Sequence, residues 1–526
     1  MKKLFYILAL VAFTLLSCNE NEVDINNNAI NESSTGLLIK KVRKLENPYT
    51  VSNMKKAYSA LQQEGLMKAA LNIEATHLYV RFLPKDSTEL ETMFGDTTLT
   101  LFSYPLDYEL TEGEKYIDST LIGNDFTWLY TRVPVGYSSP ISEYEVIEQL
   151  FLPMIVEENQ MQGIKSQKVS SSISNEWWNI LEGKSFDLTG NSNSLQINNS
   201  AQNIQKAPNR WTPKATIRVR DNITNTYLPL QGVEVRARWW FNWEKGFTDV
   251  NGKATMSGSF KGKLDWSIVW DSHDWDIRSG YYGQAFYNGP NGSKSDWNLD
   301  IEIGGKSFVY GHIHRACYNY WNNNLGLKKP FVDNFWKQKI KIAVYDKAGR
   351  SYFDSDYRWS FGSPVAIYKL KNDGSPRRAN EIFKTTIHEL AHVSHWDMES
   401  NYYEVDIRIR ESYAVGVAYV FSKAVYNLGQ IPNGNWQHLE YSDLTGHYEG
   451  KYTPLVIDLM DFYNQRGVWG INHPVDNVGG YTIAQIETAM KGAKTLEKWR
   501  GNLRDKYDNP TENYLDELFN NYINWR

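Results

Sequence analysis

Thr385-Thr386-Ile387-His388-Glu389-Leu390-Ala391-His392 is the stretch that decides how the chain is read. Upstream, Ser375-Pro376 offers an N-cap followed by proline at the first helical position, and Phe383, Ile387, Leu390 and Ala391 supply an apolar helical face. The stretch therefore reads as part of a helix. Residues four apart in a helix lie one turn apart on the same side, so His388 and His392 can present two imidazole nitrogens to one ion about 2 Å away. Glu389 is rotated by about 100° from His388, which places it beside such an ion, able to take a proton from a bound water without ligating. The competing reading makes His388, His392, His395 and Glu399 the solvated stripe of an amphipathic helix. The small apolar residues between the histidines speak against it, because they suit a buried helix.

A catalytic zinc keeps three protein ligands and one position for water, so a third ligand has to be found. His395 belongs to the same helix but lies a turn higher, and it reads as a neighbour of the site or as a surface residue. A metzincin would have glycine at 395 and histidine at 398; His395 and Met398 exclude that family. The next helix is expected over Val405 to Leu428, with Glu411 near its start, and Glu404 and Asp406 remain rival ligands. Eighteen residues separate His392 from Glu411.

HExxH followed after eighteen residues by a helical glutamate resembles the gluzincin metallopeptidases. The resemblance covers the region of these two helices and not the whole chain. It implies His388, His392 and Glu411 as ligands of one Zn2+ per chain, with Glu389 as the catalytic general base and proton shuttle. The implied reaction is hydrolysis of a protein or peptide substrate, by an endopeptidase, since no aminopeptidase-type Gly-Ala-Met-Glu-Asn stretch is present. Gluzincins also pair an extended substrate with an edge strand ahead of the motif helix. Val365–Leu370, closed by Asn372-Asp373-Gly374, is the candidate, an internal strand being the alternative. A His or Tyr donor usually stabilises the oxyanion. His447 and Tyr448, with Tyr452 beside them, are the candidates, in a loop before a helix expected over Pro454 to Gln465.

Outward from this region, 526 residues with 41% hydrophobic and 22% charged content exclude chain-wide disorder and call for several folded units. A net charge of −5 without basic runs leaves no footprint for nucleic acid. The expected fold class is multidomain α+β. Residues 46–185 read as an α+β domain of unknown role, with a helix from Val51 to Ala70 and strands over Thr76–Phe82 and Thr97–Phe102. An Asn/Ser-rich linker spans 186–210, an antiparallel β-sandwich accessory domain 211–303, and a zincin-like mixed α/β metallopeptidase domain 304–526. Leu230–Val235 and Thr248–Ala254 resemble carboxypeptidase-regulatory, prealbumin-like domains.

Trp239, Trp240 and Trp243 in the sandwich could form a stacking surface for a glycan or peptide, although tryptophan also serves strands simply by packing. On that basis the second functional reading is a cell-surface glycan- or peptide-binding lipoprotein with a non-catalytic zincin-like domain. A third keeps zinc in a closed structural site.

Residues 1–17 read as a lipoprotein signal peptide: Met1-Lys2-Lys3, an apolar run from Leu4 to Leu16, then Ser17-Cys18. Thirteen helical residues span about 20 Å, short of a bilayer core of roughly 30 Å. Leu15-Leu16-Ser17-Cys18 resembles a lipobox, which implies lipidation of Cys18 and attachment to the membrane through that lipid, with 18–45 as a tether. Glu20, Glu22 and Asp24 after the cysteine resemble the surface-export signal of Bacteroidetes-type lipoproteins, so the expected location is the bacterial outer membrane or cell surface. Cys317 is the other cysteine. It sits close to His312 and His314, but one thiol beside two histidines at i, i+2 reads better as a buried structural thiol than as a metal site.

Overall fold

The computed structural model describes residues 43–524 except 68–69, 111, 114–115, 117, 122–125, 154, 156–172, 196–209, 332–338, 355–362, 427–451 and 472. The fold is mixed α+β, with several sheets and helices between and after them. No helix among the described residues is long and apolar enough to cross a membrane.

In the N-terminal region, His77–Phe82 lies between the antiparallel strands Leu129–Pro134 and Tyr144–Leu150. Helices Val51–Gln63 and Asn175–Leu188 pack together beside this sheet. The first helix stops at Gln63, short of the expected Ala70, because Gly65 adopts φ 73° there. The N–H of Gly65 donates to the Gln62 carbonyl and that of Leu66 to the Leu61 carbonyl, a left-handed stop that favours glycine. Thr97–Phe102 is not a strand: Asp96 captures the N–H and hydroxyl of Thr98 at 2.9 and 2.6 Å, and only Phe102 bridges to Tyr130.

Alternating patterns at Lys214–Asp221, Glu234–Trp239 and Asp265–Val269 form strands of two four-stranded sheets. The arrangement is not purely antiparallel, since Trp297–Ile301 runs parallel to Lys214–Asp221. Trp275–Ser279 instead joins a five-stranded sheet, in the order Gly283–Gln284, Trp275–Ser279, Ile340–Ala348, Val365–Leu370, Tyr352–Phe353. One buried apolar cluster runs through these regions, from Tyr49 to Tyr522.

That sheet places the motif helix. Val365–Leu370 lies between Ile340–Ala348 and Tyr352–Phe353, so it is an internal strand and not the expected edge. The chain folds back over it at Gly349, where a Cβ would meet the Tyr368 ring at 2.2 Å, leaving Tyr352–Phe353 as the edge. The motif helix spans Ala379–Met398 and packs on helices Lys306–Trp321 and Ile407–Val425. It starts later than Ser375-Pro376 would have it, because Asp373 already accepts from the Ser375 N–H and hydroxyl at 2.9 and 2.6 Å. The orphan N–H groups find other partners: Glu381 accepts from Arg378 at 2.8 Å and Asn222 accepts from Ala379 at 2.9 Å.

Helix Ile407–Val425 falls inside the expected 405–428 span. Its interior Gly416 is set by packing, since a Cβ there would meet Val456 at 2.1 Å. In an open helix Gly to Ala would stabilise by about 1 kcal/mol. Here Gly416→Ala is expected to destabilise by about 1–3 kcal/mol through overpacking, measured by denaturant unfolding. The helix expected over Pro454–Gln465 divides into Leu455–Asp458 and Gln465–Trp469, broken where Asp461 accepts from the N–H of Tyr463 at 3.0 Å.

Candidate metal centre

His388 and His392 project from one face of the motif helix, and Glu411 reaches them from the second turn of Ile407–Val425. The two Nε2 atoms lie 3.1 Å apart, and Glu411 Oε2 is 3.3 Å from the first and 3.2 Å from the second. For ligand bonds of about 2.0–2.1 Å, the edge of a regular tetrahedron is about 3.3–3.4 Å. The three atoms are therefore spaced as three corners of a zinc coordination sphere. Glu411 Oε2 is buried and has no hydrogen-bond donor in acceptable geometry, which a cation at the centre of the triangle would remedy. Burial works against ionisation of Glu411, but the imidazoles of His392 and His388 outweigh it and hold the carboxyl far below its ordinary range.

Tyr402, in the short turn between the two helices, fixes the orientation of His392. Its hydroxyl is 3.0 Å from His392 Nδ1. With the proton on Nδ1 donated to Tyr402, the lone pair sits on Nε2 and faces the triangle; this tautomer is inferred from the geometry. Arg410 lies over the Tyr402 ring at 5.0 Å and hydrogen-bonds the phenol, while burial keeps that phenol neutral. Tyr402→Phe is expected to weaken zinc binding about 10- to 100-fold with the fold intact, read by competition with a chromophoric chelator.

Glu389 is buried, and its carboxyl is pushed up to about 7, first by burial and further by the charge of Glu411, against the pull of His388. The backbone N–H of Phe353, on the edge strand, donates to it. A neighbouring dication would lower its proton affinity again. Glu389 thus meets the sheet edge at Phe353 and lies within the electrostatic reach of His388 and Glu411. The Tyr452 ring is 6.0 Å from the His388 ring. His447, Tyr448 and Cys18 lie outside the described residues.

The rival ligands sit elsewhere. Glu404 is exposed and paired with Lys494, and Asp406 caps helix Ile407–Val425 and holds Arg408 at 2.6 Å. His395 is neither a ligand nor a surface residue: it is fully buried against Tyr402 and Tyr413, and burial lowers its pKa to about 3. Glu399 ends the motif helix and accepts from the Gly492 N–H at 2.5 Å. His312 and His314 are buried and bonded to the carbonyls of Arg220 and Gln231, and Cys317 is a buried free thiol, as a structural role requires. Trp239 and Trp240 are turned inward against Phe186 and Tyr49 and offer no open stacking face, while Arg132 covers one face of the half-buried Trp243 at 3.9 Å.

Tyr402 and Phe353 carry no sequence signal of their own, because their roles arise from contacts across a turn and across the sheet. Comparison of the chain with protein-family models and with curated proteins yields no match.

Proposed function

We propose that the chain is a zinc metallopeptidase of gluzincin type, holding one Zn2+ per chain on His388, His392 and Glu411. The observation that carries the reading is the triangle of two Nε2 atoms and one carboxylate oxygen, with edges of 3.1–3.3 Å, beside the buried Glu389. The five-stranded sheet with the motif helix against it is read as a zincin-like mixed α/β arrangement, and the preceding β-sheets as accessory to it. Bound zinc would polarise the scissile carbonyl and bring the pKa of its water toward 7. Glu389 takes the proton that this water loses as its oxygen adds to the carbonyl carbon, then gives it to the amine nitrogen as the C–N bond breaks. Tyr452, His447 and Tyr448 are the candidates for oxyanion stabilisation.

The substrate proposed is a protein or peptide in extended form. What supports this is that the edge strand Tyr352–Phe353 meets Glu389 through the Phe353 N–H, so a peptide added to that edge would lie beside the proposed base. The location proposed is the bacterial outer membrane or cell surface, through lipid on Cys18. The test is elemental analysis of residues 19–526 together with cleavage of a mixed peptide library. About one zinc per chain and cleavage abolished by a zinc chelator support the reading; a protein that takes up no zinc on reconstitution overturns it.

A further inference from the structure

Where helix Asn175–Leu188 meets the loop before strand Asp265–Val269, a lysine, an asparagine and a glutamate come together that the peptidase reading does not use. Asn179 and Glu182, three residues apart, share a face of that helix. Lys261 Nζ reaches both: it donates to Asn179 Oδ1 at 2.9 Å and pairs with Glu182 Oε2. Lys261 and Glu182 are buried, and Asn179 is half-buried. The other oxygen of Glu182 accepts from the Tyr49 hydroxyl at 2.7 Å, which fixes the carboxylate. The walls are aromatic: Lys261 Nζ lies 5.4 Å from the centre of the Trp239 ring, Trp239 stacks on Phe186, and Tyr49 packs edge-on against both. The backbone around the lysine is pinned as well, since Phe260 exchanges two hydrogen bonds with Trp211 and the Lys263 N–H donates to the Ser194 carbonyl.

As an ion pair alone, Lys261 and Glu182 offset each other's desolvation, and Asn179 merely takes up one more ammonium hydrogen. The same arrangement has the parts of an acyl transfer. An amine desolvated in an apolar pocket is a nucleophile. The carboxamide carbon is one bond beyond the oxygen that Nζ already touches, and a carboxylate that can accept the ammonium proton touches Nζ as well. Groups held in such contact by two rigid elements need little further ordering to react.

We propose that Lys261 and Asn179 join through an isopeptide bond between Nζ and Cγ, with Glu182 carrying the protons. Glu182 takes a proton from the Lys261 ammonium, and the freed electron pair of Nζ adds to Asn179 Cγ while the carbonyl pair moves onto Oδ1. As the carbonyl re-forms, the Cγ–Nδ2 bond breaks; Nζ loses a second proton, and the departing nitrogen leaves with two more than it had. The products are one amide and one ammonium ion, Glu182 is again a carboxylate, and no oxidant or second substrate is consumed. Asn179, being half-buried, gives the ammonium ion a side open to solvent. The bond would tie residues 82 apart, fastening the N-terminal region to the sheets that follow, in a chain whose described cysteine, Cys317, is a free thiol.

The test is the intact mass of residues 19–526 after denaturation, followed by tryptic mapping. The expected mass is below that of the sequence by one ammonia, about 17 Da, with a branched peptide that contains both Asn179 and Lys261 and is uncut after Lys261. Glu182→Gln keeps both partners and is expected to remain at its full sequence mass, as is Asn179→Ala, the milder change, which serves if Glu182→Gln does not fold. Native protein at full mass with Lys261 cleaved by trypsin would overturn the proposal and leave an anchoring ion pair. So would a loss of ammonia that maps to other residues, or a branched peptide formed undiminished in Glu182→Gln.

Discussion

In Glu389→Gln, zinc is expected to stay bound at about one per chain while peptide turnover falls about a hundred- to ten-thousand-fold. The amide keeps the size and polarity of the carboxyl, still accepts from the Phe353 N–H, and is not among the three atoms of the triangle. It cannot take a proton. The variant therefore separates two statements that usually fail together, that the centre holds metal and that it uses a base. Full turnover with zinc bound would remove Glu389 from the reaction. Loss of zinc would mean that the glutamate ligates. Elemental analysis and a fluorogenic peptide assay on the same sample decide between these outcomes.

The parts of this site that were legible in the sequence are those ruled by helical period. His388 and His392 share a face because they are four apart, and the count of eighteen brings Glu411 round on a second helix that packs against the first. Counting along the chain favoured Glu411 but left Glu404 and Asp406 as rivals, since all three stand near the start of that helix. Structure chooses by phase: Asp406 is spent as the cap and Glu404 falls in the turn before it. Strand patterns were legible where alternation is strict, as in His77–Phe82 and Lys214–Asp221. Local signals misled where a short side chain competes for the backbone: Asp96 does so at Thr98, in an expected strand, and Asp373 at Ser375, at an expected helix start. The rank of a strand within its sheet is a long-range property, so Val365–Leu370 could not be recognised as internal until the fold-back at Gly349 was known.

Glu411→Ala and His388→Ala are each expected to abolish zinc retention on dialysis, and with it all activity, while Glu404→Ala and Asp406→Ala retain about one zinc per chain. The contrast follows from where the carboxylates are. Glu411 Oε2 is buried within 3.3 Å of both imidazole nitrogens, whereas Glu404 is exposed beside Lys494. The same variants carry a thermodynamic readout that needs no substrate. A ligand that binds only the folded chain stabilises it by about 2.7 kcal/mol at a free concentration one hundred times its Kd. Native protein is therefore expected to melt several degrees higher in zinc than without it, and Glu411→Ala to melt at one temperature in both. Asp406→Ala loses a helix cap, worth about 1 kcal/mol, so it melts lower throughout but keeps the full zinc increment. That pattern tells a lost ligand from a weakened fold. A zinc increment surviving in Glu411→Ala and vanishing in Glu404→Ala would move the third ligand to the turn between the helices and refute the geometry of the triangle.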